Sequence, residues 1–350
     1  MAKSTGSGRH GHHRGGAGGT RAIFRGAAAL VSVVAGLGAT AVLTRWPSAL
    51  IIRAVFTRGG DATAAEMRRH VPDVPLHERL DISYGDRGRE TTYDAFRPAS
   101  AVGPLPTIVW IHGGAWISGG KHDVAPYLRL LANQGFAAIG VNYTRGPEGV
   151  YPLAVHQLRD ALAHIDRHAE EWGVDRQRIV LAGDSAGAQL ASQQAALITH
   201  PAYAERLGIR PGLRPDQLAA TVLHCGVYDL AALARLRGVI GWGFKSAMWA
   251  YSGTRTWAED ETGATMSTID AVTADFPPTF VSGGNGDGLT RLQSRPLARR
   301  LADLGVETTT LFWPDDHEPA LPHEYQFHLD LPEARDAFAR TLDFLRAHTG

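Results

Sequence analysis

Residues 179–187 of the chain read Ile-Val-Leu-Ala-Gly-Asp-Ser-Ala-Gly. The four apolar residues suit a buried parallel strand, and a helix-forming run, 189–198, follows at once. A Gly-x-Ser-x-Gly pattern between a strand and a helix is typical of a turn that lifts a serine hydroxyl clear of the sheet. Side chains at Gly183 and Gly187 would collide with the neighbouring strand and helix in so sharp a turn. The pattern therefore predicts Ser185 as a nucleophile, and the alternative is a plain tight turn whose serine caps the helix.

A second glycine-rich turn follows an earlier apolar run. The strand predicted at 106–111 continues into residues 112–116, His-Gly-Gly-Ala-Trp. Glycines let backbone N–H groups approach a substrate carbonyl with no side chain between them. We expect the N–H groups of Gly113 and Gly114, with that of Ala186 after the serine, to form an oxyanion hole. The alternative is a turn that needs two glycines only for its own backbone.

A serine nucleophile also needs an acid and a histidine, which follow it in that order along the chain. Asp287 lies on the loop at the C-terminal end of the strand predicted at 278–283, at the sheet edge where ligands bind. The alternative for Asp287 is an ordinary Asp-Gly turn. Two histidines, His317 and His323, follow the last predicted strand. We predict His323 as the general base, because three acidic neighbours of His317 favour a solvated imidazolium, which is a poor base.

Apolar runs alternate with helical patterns along most of the chain. This alternation predicts an α/β fold, with a mostly parallel sheet and helices on both of its faces. The first two strands are joined by a short link and should form an antiparallel hairpin. The exception is an aromatic-rich insertion over 229–275, which is either plain packing or a small lid. We predict strands near 80–84, 91–96, 106–111, 136–142, 178–183, 220–226, 278–283 and 307–313, and helices near 123–134, 153–171, 186–198, 291–304 and 332–347.

Composition limits the kind of protein. The chain has 350 residues, of which 44% are hydrophobic and 20% are charged, enough for one large α/β domain or two ordinary ones. The formal net charge is zero, which gives no reason to expect nucleic acid as a partner. Cys225 is the single cysteine, so an intrachain disulfide and a metal site built on cysteine are excluded. We expect an inert core thiol there.

The N-terminal part differs in composition from the rest. Residues 1–20 consist mostly of Gly, Ser, His and Arg, which predicts a disordered tail. Residues 21–45 are predicted to be a hydrophobic helix that acts as a membrane anchor or signal segment. A connector is predicted over 46–79, and the α/β domain over 80–350.

The hydrophobic segment contains eighteen residues without a charge, 26–43, which is near the lower limit for spanning a bilayer. Three interpretations compete: a membrane anchor, a cleaved signal peptide and a buried core helix. Ala39-Thr40-Ala41 has the form of a cleavage site. We favour the anchor. Five basic residues precede the segment and its other flank is less basic, which predicts an extracytoplasmic domain at the cell membrane, with secretion as the alternative.

Together these motifs resemble the esterase/lipase branch of the α/β-hydrolases, near the hormone-sensitive-lipase-like and feruloyl-esterase-like carboxylesterases. The matching pieces are residues 112–116, 183–187, Asp287 and the run 321–327, Leu-Pro-His-Glu-Tyr-Gln-Phe. The resemblance implies an α/β-hydrolase fold with an eight-stranded sheet. It also implies a triad of Ser185, Asp287 and His323 that hydrolyses a small-molecule carboxylic ester through an acyl-enzyme, with no metal and no cofactor.

The sequence is also compatible with two other functions. The loop at 112–116 has Gly-Gly-Ala-Trp in place of three glycines, a variant that kynurenine-formamidase-like enzymes share. An arylformamidase or amidase would use the same triad. A binding protein on a hydrolase fold is the alternative from a different class, although such proteins usually lack a triad member or the oxyanion glycines.

Overall fold

Eight strands form one sheet in the computed structural model, which describes residues 44–350. Numbered along the chain, they are β1 (Leu76–Ser83), β2 (Thr92–Pro98), β3 (Leu105–Ile111), β4 (Ala137–Val141), β5 (Val174–Asp184), β6 (Leu218–His224), β7 (Thr279–Gly283) and β8 (Thr308–Phe312). Their order across the sheet is β1-β2-β4-β3-β5-β6-β7-β8. The pairs β1–β2 and β2–β4 are antiparallel and the other neighbours are parallel, which confirms the predicted mostly parallel sheet.

Helices cover both faces of this sheet. Because successive residues of a strand point to opposite faces, Ile108 and Trp110 of β3 belong to one apolar core and Val109 and Ile111 to the other. The α-helices are α1 (Trp46–Arg68), α2 (Lys121–Ala132), α3 (Leu153–Arg167), α4 (Ala169–Trp172), α5 (Ala186–Thr199), α6 (Pro201–Leu207), α7 (Leu230–Ala234), α8 (Gly238–Ser252), α9 (Glu261–Met266), α10 (Thr268–Ala271), α11 (Arg295–Asp303) and α12 (Pro332–Thr349). Helices α3, α5 and α11 contribute to the core of Val109, and α2 and α12 to that of Trp110.

The centre of the fold is β5 with the helix that follows it. Strand β5 lies between β3 and β6, and its residues 179–184 are all buried. Residues 186–198 of α5 are buried as well. An unbroken apolar run is the pattern expected of a strand that is covered on both faces. The turn between β5 and α5 is therefore held by the best-packed part of the molecule.

The structure corrects the connector that the sequence analysis predicts over residues 46–79. Helix α1 occupies the first part of this stretch, and β1 begins at Leu76. Ala64 and Met67 of α1 are buried one turn apart, so packing against the domain stabilises the helix. Strand β1 lies at the sheet edge with mostly exposed side chains. Its first residues therefore carry no apolar run, which is why the sequence predicted the strand to begin only near residue 80.

Polar contacts connect α1 to two separate parts of the domain. Near its start, Arg53 donates from Nε to the carbonyl oxygen of Ile117 (2.6 Å) and from Nη2 to that of Gly146 (2.7 Å). Near its end, Glu66 Oε2 lies 3.0 Å from His328 Nδ1. The helix thus bridges the chain just before α2 and the chain just before α12.

Other predicted elements end at different residues. The helix predicted at 153–171 is interrupted at His168, and the one predicted at 291–304 begins with a π-helical turn at Thr290–Ser294. The strand predicted at 220–226 ends at His224, because Cys225 has a φ of 50° and cannot continue an extended chain. Three short 3₁₀ helices complete the description, Gly88–Thr91, Pro215–Gln217 and Tyr325–Phe327.

The aromatic-rich insertion, residues 229–275, forms helices α7 to α10 between β6 and β7. Tyr251 and Trp257 of this insertion are buried, whereas Val239 and Trp242 near the start of α8 are exposed. Part of the insertion therefore belongs to the core, and part of it presents apolar side chains to solvent.

The disordered tail predicted over 1–20, and all but the last two residues of the hydrophobic helix predicted over 21–45, lie outside the described residues. Within residues 44–350, no helix has the length and apolar character needed to cross a bilayer.

Candidate active site

Ser185 occupies the sharp turn between β5 and α5. Its backbone angles are φ 51° and ψ −118°, a conformation that residues other than glycine rarely adopt. The turn also brings backbones very close together: a Cβ on Gly187 would lie 2.0 Å from the carbonyl oxygen of Ile111, and one on Gly183 would lie 2.5 Å from the carbonyl carbon of Gly187. The prediction that only glycine fits at these two positions is confirmed.

A chain of hydrogen bonds joins Ser185, His323 and Asp287. Ser185 Oγ lies 2.9 Å from His323 Nε2, and His323 Nδ1 lies 2.7 Å from Asp287 Oδ2. Asp287 and Ser185 are buried, while the side chain of His323 is about one-third exposed. The structure thus brings the three predicted residues together from the loops after β5, β7 and β8. This geometry lets the imidazole receive a proton from the serine while the carboxylate orients the ring.

Asn285 joins the loop that carries Asp287 to the loop that carries His323 by hydrogen bonds. No motif in the sequence indicates this role. Asn285 Nδ2 donates to the carbonyl oxygen of His317 (2.8 Å), and Asn285 Oδ1 accepts the N–H of Leu321 (2.9 Å). The N–H of Gly286 donates to the carbonyl oxygen of Leu321 as well (2.9 Å). These bonds fix the distance between acid and base, and only the folded loops reveal them.

His317, the other histidine after β8, lies apart from the serine. Its Nε2 is 3.1 Å from Glu333 Oε1 at the start of α12, and its ring packs on Trp313 with the ring centroids 4.6 Å apart. The acidic partner of His317 is therefore Glu333, and not the three acids that neighbour it in sequence. The structure joins His323, and not His317, to Ser185.

The charge state of His323 depends on the acids around it. Burial disfavours the imidazolium, but the hydrogen bond to Asp287 and the negative charges of Glu324, Asp287 and Asp184 outweigh burial and raise the pKa of His323 to about 9. Glu324 Oε1 is 3.8 Å from His323 Nε2, the nitrogen that faces the serine. The carboxyl groups near this ring therefore control how readily it acts as a base.

The structure corrects one of the predicted oxyanion donors. The N–H of Gly113 donates to Asp184 Oδ2 (2.8 Å), so it is not available to a substrate. Within residues 44–350, the N–H groups of Gly114 and Ala115 donate to no protein acceptor. Ala186 is the first residue of α5, where the N–H has no partner inside the helix. The described geometry thus leaves Gly114 and Ala186 of the predicted donors, and the N–H of Ala115 is equally without a protein acceptor.

Within the part of the chain that the structure describes, two groups of side chains have the residue types and the spacing to bind a metal ion. The single cysteine was expected to exclude a cysteine metal site, but the fold places the Cys225 thiol beside two members of the triad. Because His323 and Asp287 already bind each other, an ion there would compete with their hydrogen bond. In each group, one ligand atom per residue lies within 4.8 Å of the others: Cys225, Asp287 and His323, and separately Asp61, His122 and Asp123.

The fold and this site together define a class of protein. A mostly parallel eight-stranded sheet, with a serine on the turn after a central strand and the acid and histidine after the last two strands, is the arrangement of the α/β-hydrolases. The model of the BD-FAE family matches residues 93–301, more than half of the chain, and the chain belongs to this family. The predicted fold and the predicted resemblance to the esterase/lipase branch are confirmed.

Two similar proteins come from Mycobacterium tuberculosis (strain ATCC 25618 / H37Rv). The probable carboxylic ester hydrolase LipM is 31% identical over 218 residues, which cover 61% of this chain and 49% of LipM. Esterase LipQ is 29% identical over 255 residues, which cover 69% of this chain and 58% of LipQ. The chain thus spans about half the length of these relatives.

Solved structures show the same fold. The crystal structure of Esterase B from Lactobacillus Rhamnosis superposes with a TM-score of 0.74 at 24% sequence identity, and the superposition covers 87% of this chain and 96% of that chain. At this level of identity, the likeness establishes the architecture only.

Proposed function

We propose that the protein is a carboxylic-ester hydrolase that uses Ser185, His323 and Asp287 as a catalytic triad. The observation that carries this proposal is the continuous hydrogen-bonded chain from Ser185 Oγ through the His323 ring to Asp287, with distances of 2.9 and 2.7 Å. The names of LipM and LipQ, a probable carboxylic ester hydrolase and an esterase, support an ester as the substrate.

The proposed reaction has two halves. Ser185 Oγ attacks the ester carbonyl carbon while His323 Nε2 takes the hydroxyl proton, and the carbonyl oxygen becomes an oxyanion. The N–H groups of Gly114, Ala115 and Ala186 bind this oxyanion, and one such donor stabilises it by about 2.7–4 kcal/mol. The alcohol then leaves with the proton from His323. Water attacks the resulting acyl-enzyme by the same route and releases the acid.

Covalent labelling tests this function on the intact protein. A serine-directed fluorophosphonate should attach to Ser185 and abolish activity toward p-nitrophenyl and aryl esters, because only an activated serine attacks phosphorus readily. Peptide mass spectrometry locates the label, and the Ser185→Ala variant is the control. Better turnover of an N-formyl arylamine than of any ester would instead indicate an arylformamidase. A protein that takes no label and hydrolyses nothing would be a binding protein on this fold.

We also propose that the segment 26–43 attaches the protein to the membrane and that the catalytic domain lies outside the cytoplasm. The uncharged segment and the five basic residues before it support this topology. The start of α1 supports it too, because it turns Leu50, Ile51 and Val55 toward solvent while Ala49 is buried. An apolar face of this kind suits the boundary between headgroups and acyl chains.

A reporter fused after Gly350 tests the topology with the catalytic domain intact. Alkaline phosphatase, which is active only outside the cytoplasm, should be active and membrane-bound, whereas a reporter that needs the cytoplasm should be silent. Deletion of residues 26–43 should release the protein from the membrane. The reverse reporter pattern would refute the topology, and active protein in the medium with a shortened N-terminus would favour secretion.

A further inference from the structure

Two carboxyl groups beside the triad have no part in the proposed reaction. Asp184 immediately precedes the serine and is buried at the end of β5. Its Oδ1 accepts the indole N–H of Trp110 (2.7 Å), and its Oδ2 accepts the N–H of Gly113 (2.8 Å). Glu324 immediately follows the histidine, and its φ of 60° is one that a residue other than glycine adopts only when its surroundings hold it there.

These two carboxyl groups lie against the same backbone position, close enough to share a hydrogen bond, and this bond is one of the influences that raise the pKa of Asp184. Such a bond needs a proton between the oxygens, because two carboxylates have only acceptors to offer. Both groups also lie directly against Gly113: a Cβ on that residue would be 2.2 Å from Asp184 Oδ2 and 2.9 Å from Glu324 Oε1. The pair therefore joins the turn at Gly113 to the loop that carries His323.

The surroundings favour a pair that keeps one proton. Burial, and the charge of Glu324 next to it, raise the pKa of Asp184 well above its usual value. Loss of the proton would place two negative charges close together inside the protein, which burial and mutual repulsion both disfavour. The titratable groups that face the pair from the neighbouring segments are His323, Asp287 after β7, Cys225 after β6 and Tyr143 after β4.

We propose that Asp184 and Glu324 share one proton, and that this carboxyl pair positions the turn at Gly113 and Gly114 while leaving a single negative charge beside His323. Glu324 is then a positioning residue that acts through Asp184 and the oxyanion turn. This inference rests on the proposed function, because the carboxyl pair matters for activity only if Gly114 donates to an oxyanion and His323 acts as the base.

The shared proton matters because of where Glu324 lies. An imidazole is a base only in its neutral form, and each nearby negative charge stabilises the imidazolium instead. If both carboxyl groups were ionised, they would add two negative charges to that of Asp287 around His323. With one proton shared, the pair adds one negative charge, part of which resides on Asp184, where two N–H groups stabilise it.

The test compares Glu324→Gln with Asp184→Asn in the intact protein. Each variant keeps one negative charge but confines it to a single residue. In Glu324→Gln the charge lies on Asp184, and in Asp184→Asn it lies on Glu324, whose Oε1 is 3.8 Å from His323 Nε2. The acid limb of kcat/KM on a p-nitrophenyl ester should therefore lie about one pH unit or more higher in Asp184→Asn than in Glu324→Gln. Wild type should lie between the two or coincide with one of them. Glu318→Gln, which removes an exposed carboxylate from the same segment, should leave the profile unmoved.

A pair without a shared proton behaves differently. If both groups are ionised in the wild type, each variant removes a negative charge, and the acid limb shifts to lower pH in both. That result, or three superimposable profiles, would overturn the proposal.

A stability measurement covers the case in which Asp184→Asn fails to fold. The folded pair retains a proton that the unfolded carboxyls release above about pH 5. The folding equilibrium constant of the wild type should therefore fall about tenfold per pH unit relative to Glu324→Gln, until the folded pair loses its proton. Thermal unfolding of both proteins across this range needs no substrate. If the stabilities of wild type and Glu324→Gln diverge with pH but the protein hydrolyses no ester, the shared proton stands and the proposed function is refuted. If the protein is active but the two stabilities change in parallel with pH, the shared proton is refuted.

Discussion

Replacement of Ser185 by alanine should abolish ester hydrolysis, with kcat lowered by about 10⁶-fold. In the proposed mechanism the oxygen of this hydroxyl forms the acyl-enzyme, and a water molecule bound to His323 would not occupy the same position at the turn. The variant should still fold, because alanine retains the Cβ and the backbone conformation and removes one hydrogen bond, worth about 1 kcal/mol. Steady-state kinetics on a p-nitrophenyl ester measure the loss, and thermal unfolding verifies the fold.

The chain offers a matched control for this variant. Ser282 at the end of β7 is buried, and its Oγ lies 2.6 Å from His224 Nδ1, so it is also a serine bonded to a histidine. Ser282→Ala should therefore lower the unfolding temperature and leave kcat within a few-fold of wild type. If Ser185→Ala keeps more than a few per cent of the activity, the nucleophile is another residue.

Replacement of His323 by alanine should have an effect close to that of Ser185→Ala, because the members of a triad act as a unit. Without the ring, the serine proton has no acceptor and Asp287 has nothing to orient. His317→Ala is the natural comparison, because that histidine comes from the same stretch after β8 and is also bonded to a carboxylate, Glu333. We expect His317→Ala to lower the unfolding temperature and to change kcat less than tenfold.

Kinetics of the two histidine variants under identical conditions decide between them. The opposite ranking would make His317 the base, and it would require the loop after β8 to rearrange when substrate binds. Comparable losses in both variants, with unfolding temperatures unchanged, would indicate that neither ring is the single proton acceptor.

Patterns within short stretches of the sequence predicted much of this site. Ser185 and Asp287 each follow a buried strand, β5 and β7, and this position places them at the carboxyl edge of the parallel part of the sheet. The choice of His323 over His317 drew on the acids beside His317 in sequence, yet the acid that binds His317 is Glu333. The structure places the predicted histidine, His323, next to Ser185, but the acid that binds His317 is not one of the three on which the choice rested.

Contacts between distant stretches explain what the sequence did not predict. The N–H of Gly113 belongs to a loop of the expected type, but its acceptor, Asp184, lies 71 positions away and meets it only in the folded sheet. Asn285 likewise acts between distant stretches, because both of its side-chain hydrogen bonds reach the loop after β8. The buried residues of helix α1, Ala49, Ala64 and Met67, are too few to give the sequence an apolar periodicity, and its polar contacts are with residues far along the chain, Ile117 and His328.

The contacts that α1 makes with two parts of the domain limit how far the N-terminus of a recombinant fragment can be shortened. The family match begins at residue 93, yet the compact unit begins at Ser48. A recombinant fragment trimmed to the family match would lose Arg53 and Glu66. It would therefore also lose their contacts with Ile117, just after the proposed oxyanion turn, and with His328, just after the proposed general base. Similarity to relatives thus marks the part of the fold that the family shares, whereas the compact unit of the structure begins forty-five residues earlier.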